Sequence, residues 1–543
     1  MTRRLAILLL ACLPSGLVAA PAAPRQDLLR FVNGDQLHGT FQGIKEGMVA
    51  VWQRPDLTAS GEFKPAQIQK IILHAGRPEN SSGTLAHVAL IDGDRIPGTL
   101  AALDDETVTV DTPMAGMVHI ARKRVGMVAP MPLGGRVLYH GPYSEDGWLM
   151  THPNFPDGIP EAPQAAVADP AEVPKPAADE AKAAPEEAAE GEDEAKPKEA
   201  QQAALPRWDF AGAAWYWNHK QPSTALVRKS GMTDRSILRF KLAWRNRLML
   251  ALAFHADFAR PAKPAAQAAE EKPAKDGLPK RQLINRFGPG DASAFPQLFG
   301  HSYVLQVNSG YVVMLRCGFD DKGNPTVDRL QVNNPSIRLT ESGAASFELR
   351  CDRLKGMILL YVDGEFAMQW SEPGLADPAG YAGKGGGIGF LSQMDNAQLR
   401  LSDVVIAEWN GMTDSARSMQ VDDQDIVLLT NGTDRFSGKV TGFQDGKVRL
   451  HGKFGDFSFP LEDVAELRFA SNSLTKVEDA ATERIIVRFD PIGNITGKPL
   501  AGDAHSLKLL TPYAGEINLK LDSAIILDFQ QTNNFLDDWD PQF

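Results

Sequence analysis

The chain has 543 residues, of which 43% are hydrophobic and 23% charged, and its formal net charge is −12. That length exceeds what one hydrophobic core supports, so several domains are expected, and the apolar fraction is enough to furnish them. The acidic balance, with no clustered run of Lys and Arg, excludes a protein built to neutralise a phosphate backbone, so no nucleic-acid partner is expected.

In chain order, the first element reads as a secretory signal over residues 1–22. Arg3 and Arg4 form its positive start, Leu5 to Leu13 its apolar stretch, and Ala20-Pro21-Ala22 its small-residue cleavage pattern. The apolar stretch is too short for a stable membrane anchor, and no later run approaches spanning length, so no transmembrane segment is expected. Leu9-Leu10-Ala11-Cys12 resembles a lipoprotein box, but the apolar stretch before Cys12 is short for one and lipidation there is not expected. The mature protein is expected in the periplasm or at the cell surface. Without Cys12, only Cys317 and Cys351 remain. An oxidising compartment permits one disulfide between them, and two buried thiols are the alternative.

A repeat follows. Leu29-Arg-Phe-Val-Asn-Gly-Asp-Gln-Leu-His-Gly39 matches Val88-Ala-Leu-Ile-Asp-Gly-Asp-Arg-Ile-Pro-Gly98, and related segments lead to Gly438 and Gly497. Alternating apolar residues, an Asn-Gly or Asp-Gly turn and a second strand bent at a glycine describe a hairpin. Gly39 to Gly98 and Gly438 to Gly497 are both 59 positions apart, as expected of a duplicated tandem pair. Each copy continues with short alternating strands, so five strands are expected in each of 26–76, 84–131, 420–471 and 482–530. A sheet this short manages its edges by curling into a small barrel. The order of apolar strand, "NGD" turn, bent strand and three further strands resembles the Sm-like small β-barrel. That resemblance implies a capacity to form rings, so a homo-oligomer enters as an expectation. No copy carries a basic Arg-Gly signature in its last loop, and RNA binding is not carried over. The four glycines are expected to relieve crowding where a strand bends.

Residues 158–206 are almost entirely Ala, Pro, Glu and Lys, and a similar composition recurs over 259–281. Neither stretch can bury enough surface to offset its ordering entropy, so both are expected to be disordered insertions.

The largest module is expected over 136–411, beginning near Gly135-Arg-Val-Leu-Tyr-His-Gly and interrupted by both insertions. Strands are expected at Ser236–Trp244, Leu248–Phe254, Tyr303–Asn308, Tyr311–Cys317, Ala345–Cys351, Met357–Val362 and Phe366–Trp370. Asp363-Gly364 supplies a two-residue hairpin. The "YVDGE" hairpin, the "GGIGF" strand and a last strand containing "LSDVVI" resemble the concanavalin-A-like/laminin-G jelly roll, closest to bacterial keto-disaccharide-hydrolase-like domains. The fold class is therefore all-β: a central jelly-roll β-sandwich flanked by two tandem pairs of small five-stranded β-barrels, with disordered tethers.

Strand parity divides the sandwich residues into two faces. Leu238, Phe240, Leu242, Phe347, Leu349, Cys351, Tyr311, Val313, Leu315 and Cys317 are expected in the core, which keeps Cys317 and Cys351 on one face and their disulfide geometrically open. Arg239, Lys241, Gln306, Asn308, Arg316, Glu348 and Arg350 are expected on an outer, ligand-binding face, against the plainer alternative of a solvated sheet. Trp215, Trp217 and Trp370 read as core residues, with stacking on a sugar as the alternative.

No catalytic motif is present. The Glu-x-Asp-x-x-Glu strand of jelly-roll glycanases is missing, and Glu348 and Asp352 share parity with Arg350 between them. The eleven His residues form no zinc pattern, and His255-Ala-Asp257 reads as structural. No cofactor is expected; Asp320-Asp-Lys-Gly-Asn324 has the oxygen-rich look of a calcium loop but reads first as a hairpin turn. The expected function is that of an exported, non-catalytic envelope protein whose jelly roll binds a glycan or an envelope protein. Two alternatives stand beside it: an assembly protein that oligomerises through its barrels, and a glycoside hydrolase or lyase with a non-standard site.

Overall fold

The computed structural model describes residues 26–74, 85–153, 155, 157–159, 205–220, 224–261, 294–331, 337–412, 422–476, 483–489, 491–531 and 538–542. The signal segment with Cys12 and the bulk of both Ala/Pro/Glu/Lys stretches lie outside them. The protein is all-β; the described residues add one short helix, Ala294–Phe299, and a few single turns of 3-10 helix. None of their helices is long and apolar enough to cross a membrane. The chain divides into two compact units, residues 1–144, 210–214 and 402–543, and residues 145–209 and 215–401.

The first unit holds the four repeats. Module 1 consists of Asp27–Phe31, Gln36–Lys45, Val49–Gln53, Gly61–Phe63 and Ile68–Ile72. Module 2 has His87–Leu90, a second strand broken at Gly98 into Arg95–Pro97 and Thr99–Leu103, then Thr107–Thr112, Gly116–Ala121 and Val125–Ala129. Module 3 has Asp425–Leu429, Arg435–Gln444, Lys447–Gly452, Gly455–Pro460 and Val464–Arg468. Module 4 has Ile485–Arg488, Asn494–Asp503, Ser506–Thr511, Gly515–Lys520 and Ile526–Asp528. In each, the antiparallel ladder runs fifth strand, first, second, third, fourth.

The second strand bends so that its first half pairs with strand one and its second half with strand three. A bulge sits at the same place in all four copies, at Phe41/Gly43, Leu100/Ala102, Val440/Gly442 and Pro499/Ala501. The repeat glycines explain the bend. A Cβ on Gly98 would fall 2.5 Å from the Asp111 carbonyl oxygen, and one on Gly438 would strike that of His451. Only a glycine lets the third strand pass this close.

The modules pair crosswise. The fifth strand of module 1 pairs with that of module 4, Ile72 opposite Ile526, and the fifth strand of module 3 with that of module 2, Leu467 opposite Val128. The bulged second strands follow suit, Ile44 meeting Gly502 and Phe443 meeting Leu103. The two tandem pairs thus interlock as 1 with 4 and 2 with 3, the arrangement a duplicated pair adopts about a local twofold. Modules 2 and 4 touch at Asp94, whose carboxylate accepts hydrogen bonds from the Thr496 amide (2.7 Å), the Thr496 hydroxyl (2.6 Å) and Asn494 Nδ2 (3.0 Å). Burial raises the pKa of Asp94, with the hydrogen bonds from Thr496 and Tyr513 opposing the rise.

Two matched carboxylates tie the modules internally. Asp27 accepts from the amides of Phe41 (3.0 Å) and His74 (2.8 Å), and Asp425, its counterpart in module 3, from those of Val440 and Ala470 (both 2.9 Å). The C-terminal segment closes over module 1. Trp539 is buried with its carbonyl held by Arg30 Nη2 at 2.7 Å, and Asp540 lies between His74 Nε2 and His38 Nε2, each at 3.0 Å. Asp538 receives Lys70 and Arg488, each at 2.8 Å.

The second unit is a jelly-roll β-sandwich. Its first sheet runs Ala214–His219, Ala397–Glu408 (of which Ala214 and residues 402–408 are counted with the first unit), Arg235–Arg245, Gly343–Asp352, Met357–Val362, Glu365–Ser371; its second runs Leu149–Thr151, Ala225–Arg228, Gly387–Ser392, Met249–Ala256, Ser302–Asn308, Val312–Phe319, Pro325–Leu330. Val137–Gly141, read from sequence as the start of the jelly roll, pairs with residues 404–407 of the strand Ala397–Glu408. Phe240 of the first sheet meets Phe390 of the second edge-to-face at 5.2 Å and stacks on Phe347 at 5.4 Å. Trp215, Trp217 and Trp370 are buried, as their core reading expected.

One strand departs from the parity reading. Leu315 and Cys317 point away from the first sheet into a second small core, where Phe295, Leu298 and Phe299 of the helix cover the sheet's far side. Met314 pairs with Leu305 on the sandwich side instead. A strand covered on both faces has no polar side to reveal its orientation. The disulfide falls with it: Cys317 lies under the helix on one sheet, Cys351 on the other, and both are free buried thiols. Desolvation raises both thiol pKa values far above the usual range.

Candidate functional site

The outer face of the first sheet is built by register. Strand Gly343–Asp352 is paired on both sides, placing Glu348 between Arg239 and Tyr361, and Arg350 between Ile237 and Leu359. Across the Asp363-Gly364 turn, Tyr361 faces Phe366. Positive φ at both turn residues, 51° and 81°, suits this tight hairpin. The row Arg239, Glu348, Tyr361, Phe366 therefore crosses four strands on one face.

Its contacts are specific. Arg350 Nε donates to Glu348 Oε1 at 2.7 Å while its guanidinium lies 4.4 Å from the Tyr361 ring centre. Tyr361 and Phe366 meet edge-to-face at 5.8 Å, and Phe366 remains 58% exposed. On the other flank, Arg400 Nε donates to the Tyr216 hydroxyl at 3.2 Å, and Gln398 Nε2 to Asn218 Oδ1 at 3.1 Å. Lys241 is exposed. Arg239 is half-buried and, among the described residues, has no hydrogen-bond or ion-pair partner. The arrangement offers an aromatic edge next to hydrogen-bonding guanidinium, amine and amide groups.

Of the seven residues expected on one ligand face, the structure brings four together: Arg239, Lys241, Glu348 and Arg350. The other three belong to the second sheet. Gln306 Nε2 donates to Gln393 Oε1 at 3.0 Å, and Asn308 is 8% exposed. Arg316 sits on the face opposite to Gln306, because it pairs with Tyr303 while Gln306 pairs with Val313. There it donates to Glu372 Oε2 from Nε (2.9 Å) and Nη2 (2.7 Å), and Tyr303 donates to the same oxygen at 2.9 Å. Burial opposes the charge of Arg316, but Glu372 more than offsets it and the pKa lies above its ordinary value. Parity within a strand cannot say which sheet a strand joins, and that is why three residues were misplaced.

Behind Tyr303 lies Tyr381, whose hydroxyl meets His255 Nδ1 at 3.0 Å. Full burial, aided by Arg353, lowers the His255 pKa to about 3, so the ring is neutral and serves as a fixed hydrogen-bonding group. Asp257 binds His301 Nδ1 at 3.0 Å. Glu348 and Asp352, which share strand parity, each hold a cation, Arg350 (2.7 Å) and Arg235 (3.1 Å). In the oxygen-rich loop, Asp320 accepts from the amides of Lys322 and Asn324 and from Asn324 Nδ2, which closes a hairpin turn between Val312–Phe319 and Pro325–Leu330. Among the described residues, no group of three His, Cys, Asp or Glu side chains is arranged to hold a metal.

Sequence reasoning missed Tyr361, Phe366, Arg400 and Tyr216. The first two were within reach: a two-residue hairpin at Asp363-Gly364 sets the register of its own strands. Arg400 and Tyr216 are brought beside the face by pairing between strands far apart in sequence.

No protein-family model matches the chain, and no curated protein does. Solved structures similar to part of it include the carbohydrate-binding module CBM66 from Bacillus subtilis, at 9% identity over 38% of this chain and 92% of that one, with a TM-score of 0.22. Sheep galectin-11 matches at 8% identity over 33% of this chain and 95% of its own, TM-score 0.18. A putative glycosyl hydrolase from Parabacteroides distasonis matches at 9% identity over 37% and 82%, TM-score 0.22. The outer face has to be read from its own residues.

Proposed function

We propose that this is an exported, non-catalytic protein of the cell envelope that binds glycans through the outer face of the first sandwich sheet. The observation that carries the reading is the row Arg239, Glu348, Tyr361, Phe366, with an exposed aromatic ring at its end. An aromatic face packs against the C–H faces of a sugar ring, while charged and amide groups beside it hydrogen-bond the hydroxyls. The interlocked modules give the assembly alternative less room, since their fifth strands are already paired with one another inside the chain. The hydrolase or lyase alternative, with a non-standard site, finds no support in Glu348 and Asp352, each of which is engaged by an arginine.

The test is a glycan array followed by calorimetry on the full mature chain, with and without calcium. Saturable binding to a glycan, weakened about tenfold or more by Phe366→Ala at unchanged melting temperature, is the expected result. No binding to any glycan overturns the reading, and light scattering on the same sample then decides the assembly alternative.

A further inference from the structure

The outer face differs in charge from the chain that carries it. The protein has a formal net charge of −12. Yet the first sheet's outer side carries Arg235, Arg239, Lys241, Arg350 and Arg400 against Glu348 and Asp352, and both carboxylates are committed, Glu348 to Arg350 at 2.7 Å and Asp352 to Arg235 at 3.1 Å. The two arginines that stiffen the face are used: Arg350 lies on Tyr361 and Arg400 on Tyr216. Arg239 is not. It stands at the centre of the sheet, half-buried, with no hydrogen-bond or ion-pair partner among the described residues, although Glu348 is its direct cross-strand neighbour. A guanidinium partly removed from water without a counter-charge is unfavourable unless something else supplies the acceptors.

We infer that the ligand is an acidic glycan and that one of its carboxylates seats on Arg239. The inference rests on the glycan-binding reading of the same face and narrows its ligand class. The planar guanidinium fork matches a carboxylate in a two-bond geometry that a hydroxyl cannot reproduce. Lys241 lies two residues along the same strand and faces the same way, about 7 Å further by strand geometry.

The experiment compares four soluble polysaccharides on the full chain by calorimetry at low and moderate salt: polygalacturonate, its methyl-esterified form, dextran and dextran sulfate. Polygalacturonate is expected to bind at least tenfold more tightly than its methyl ester or dextran, and to lose that advantage as salt rises. Arg239→Ala is expected to abolish the preference while leaving the melting temperature unchanged, and Arg239→Lys to retain part of it. Binding of the neutral polymers as tight as that of polygalacturonate, or indifference to Arg239→Ala, overturns the inference while leaving glycan binding standing. Equal binding of dextran sulfate overturns the carboxylate assignment. Failure of every glycan to bind, including those on the array, removes the underlying reading itself.

Discussion

Asp425 is where the interlocking of the modules is most exposed to a single substitution. Its carboxylate, 6% exposed, accepts the Ala470 amide on one oxygen and the Val440 amide on the other, each at 2.9 Å. The second oxygen also accepts Arg122 Nη2 of module 2 at 3.0 Å, and that nitrogen bonds the Val440 carbonyl at 2.8 Å. The Arg122 guanidinium packs 4.7 Å from the Phe469 ring centre, and its side chain is 12% exposed. Asp425→Ala orphans two buried amides, at about 1–3 kcal/mol each. It also removes the nearer of the two carboxylates at Arg122, leaving Asp105 at 3.8 Å, so the loss falls short of the about 3–5 kcal/mol that breaking a fully buried pair costs. The three losses share one site and do not add fully, so a net destabilisation of about 4 kcal/mol is expected. The chain holds two compact units and a single unfolding curve would blend them. Hydrogen exchange read by mass spectrometry separates them. Protection is expected to fall in peptides covering 425–470 and 118–128 and to stay unchanged over 235–245. Asp27→Ala, which removes the matching pair of amide bonds in module 1, is the internal comparison. A change below about 1 kcal/mol in the module peptides, or an equal loss in the sandwich, would refute the reasoning.

Further outcomes follow from other parts of the first unit and from the thiols. Trp539→Ala should cost about 3–5 kcal/mol by emptying a buried aromatic site, and urea midpoints measured on the first unit's peptides check it. Burial works to raise the pKa of Asp540, but hydrogen bonds from His74, the Gln542 amide and His38 outweigh it and hold the folded value below the ordinary one. The stability it contributes is therefore complete above the unfolded carboxyl value near 4 and lost as pH falls through the lower folded value. Asp540→Asn should flatten that acid limb of the melting profile, and an unchanged limb would count against the tail contact. Gly43 has φ of 138°, and a Cβ there would strike the Gly502 carbonyl, so Gly43→Ala should loosen modules 1 and 4 by about 1–3 kcal/mol. Cys317 and Cys351 should ignore a thiol reagent at pH 8 in the native protein and both react in guanidinium without reductant. Recovery of neither thiol would establish a disulfide and contradict the structure.

Much of the architecture was legible because its signals are local. The Asn-Gly and Asp-Gly turns, the glycine at each bend and the spacing of 59 positions mark five-stranded repeats through contacts a few residues apart. Alternation in Ser236–Trp244 and Ala345–Cys351 likewise placed Leu238, Phe240, Phe347 and Leu349 inside and Arg239, Lys241, Glu348 and Arg350 outside. All eight are on those sides. The same logic failed on the strand holding Leu315 and Cys317, where a helix buries the second face and removes the polar half of the pattern.

What the sequence by itself determined is the kind of element at each place: strand, turn, bend, and a sandwich set beside repeats. These follow from backbone sterics and from which side chains tolerate water. What only the tertiary structure decided is which strands lie side by side. The crosswise pairing of module 1 with 4 and 2 with 3 joins strands hundreds of residues apart. The seating of Asp540 between His38 and His74, the assignment of Arg316 to a different sheet from Arg350, and the approach of Arg400 and Tyr216 to the candidate face have the same character. A strand's edge offers the same amides and carbonyls to any partner, so its choice is made by the packing of whole sheets.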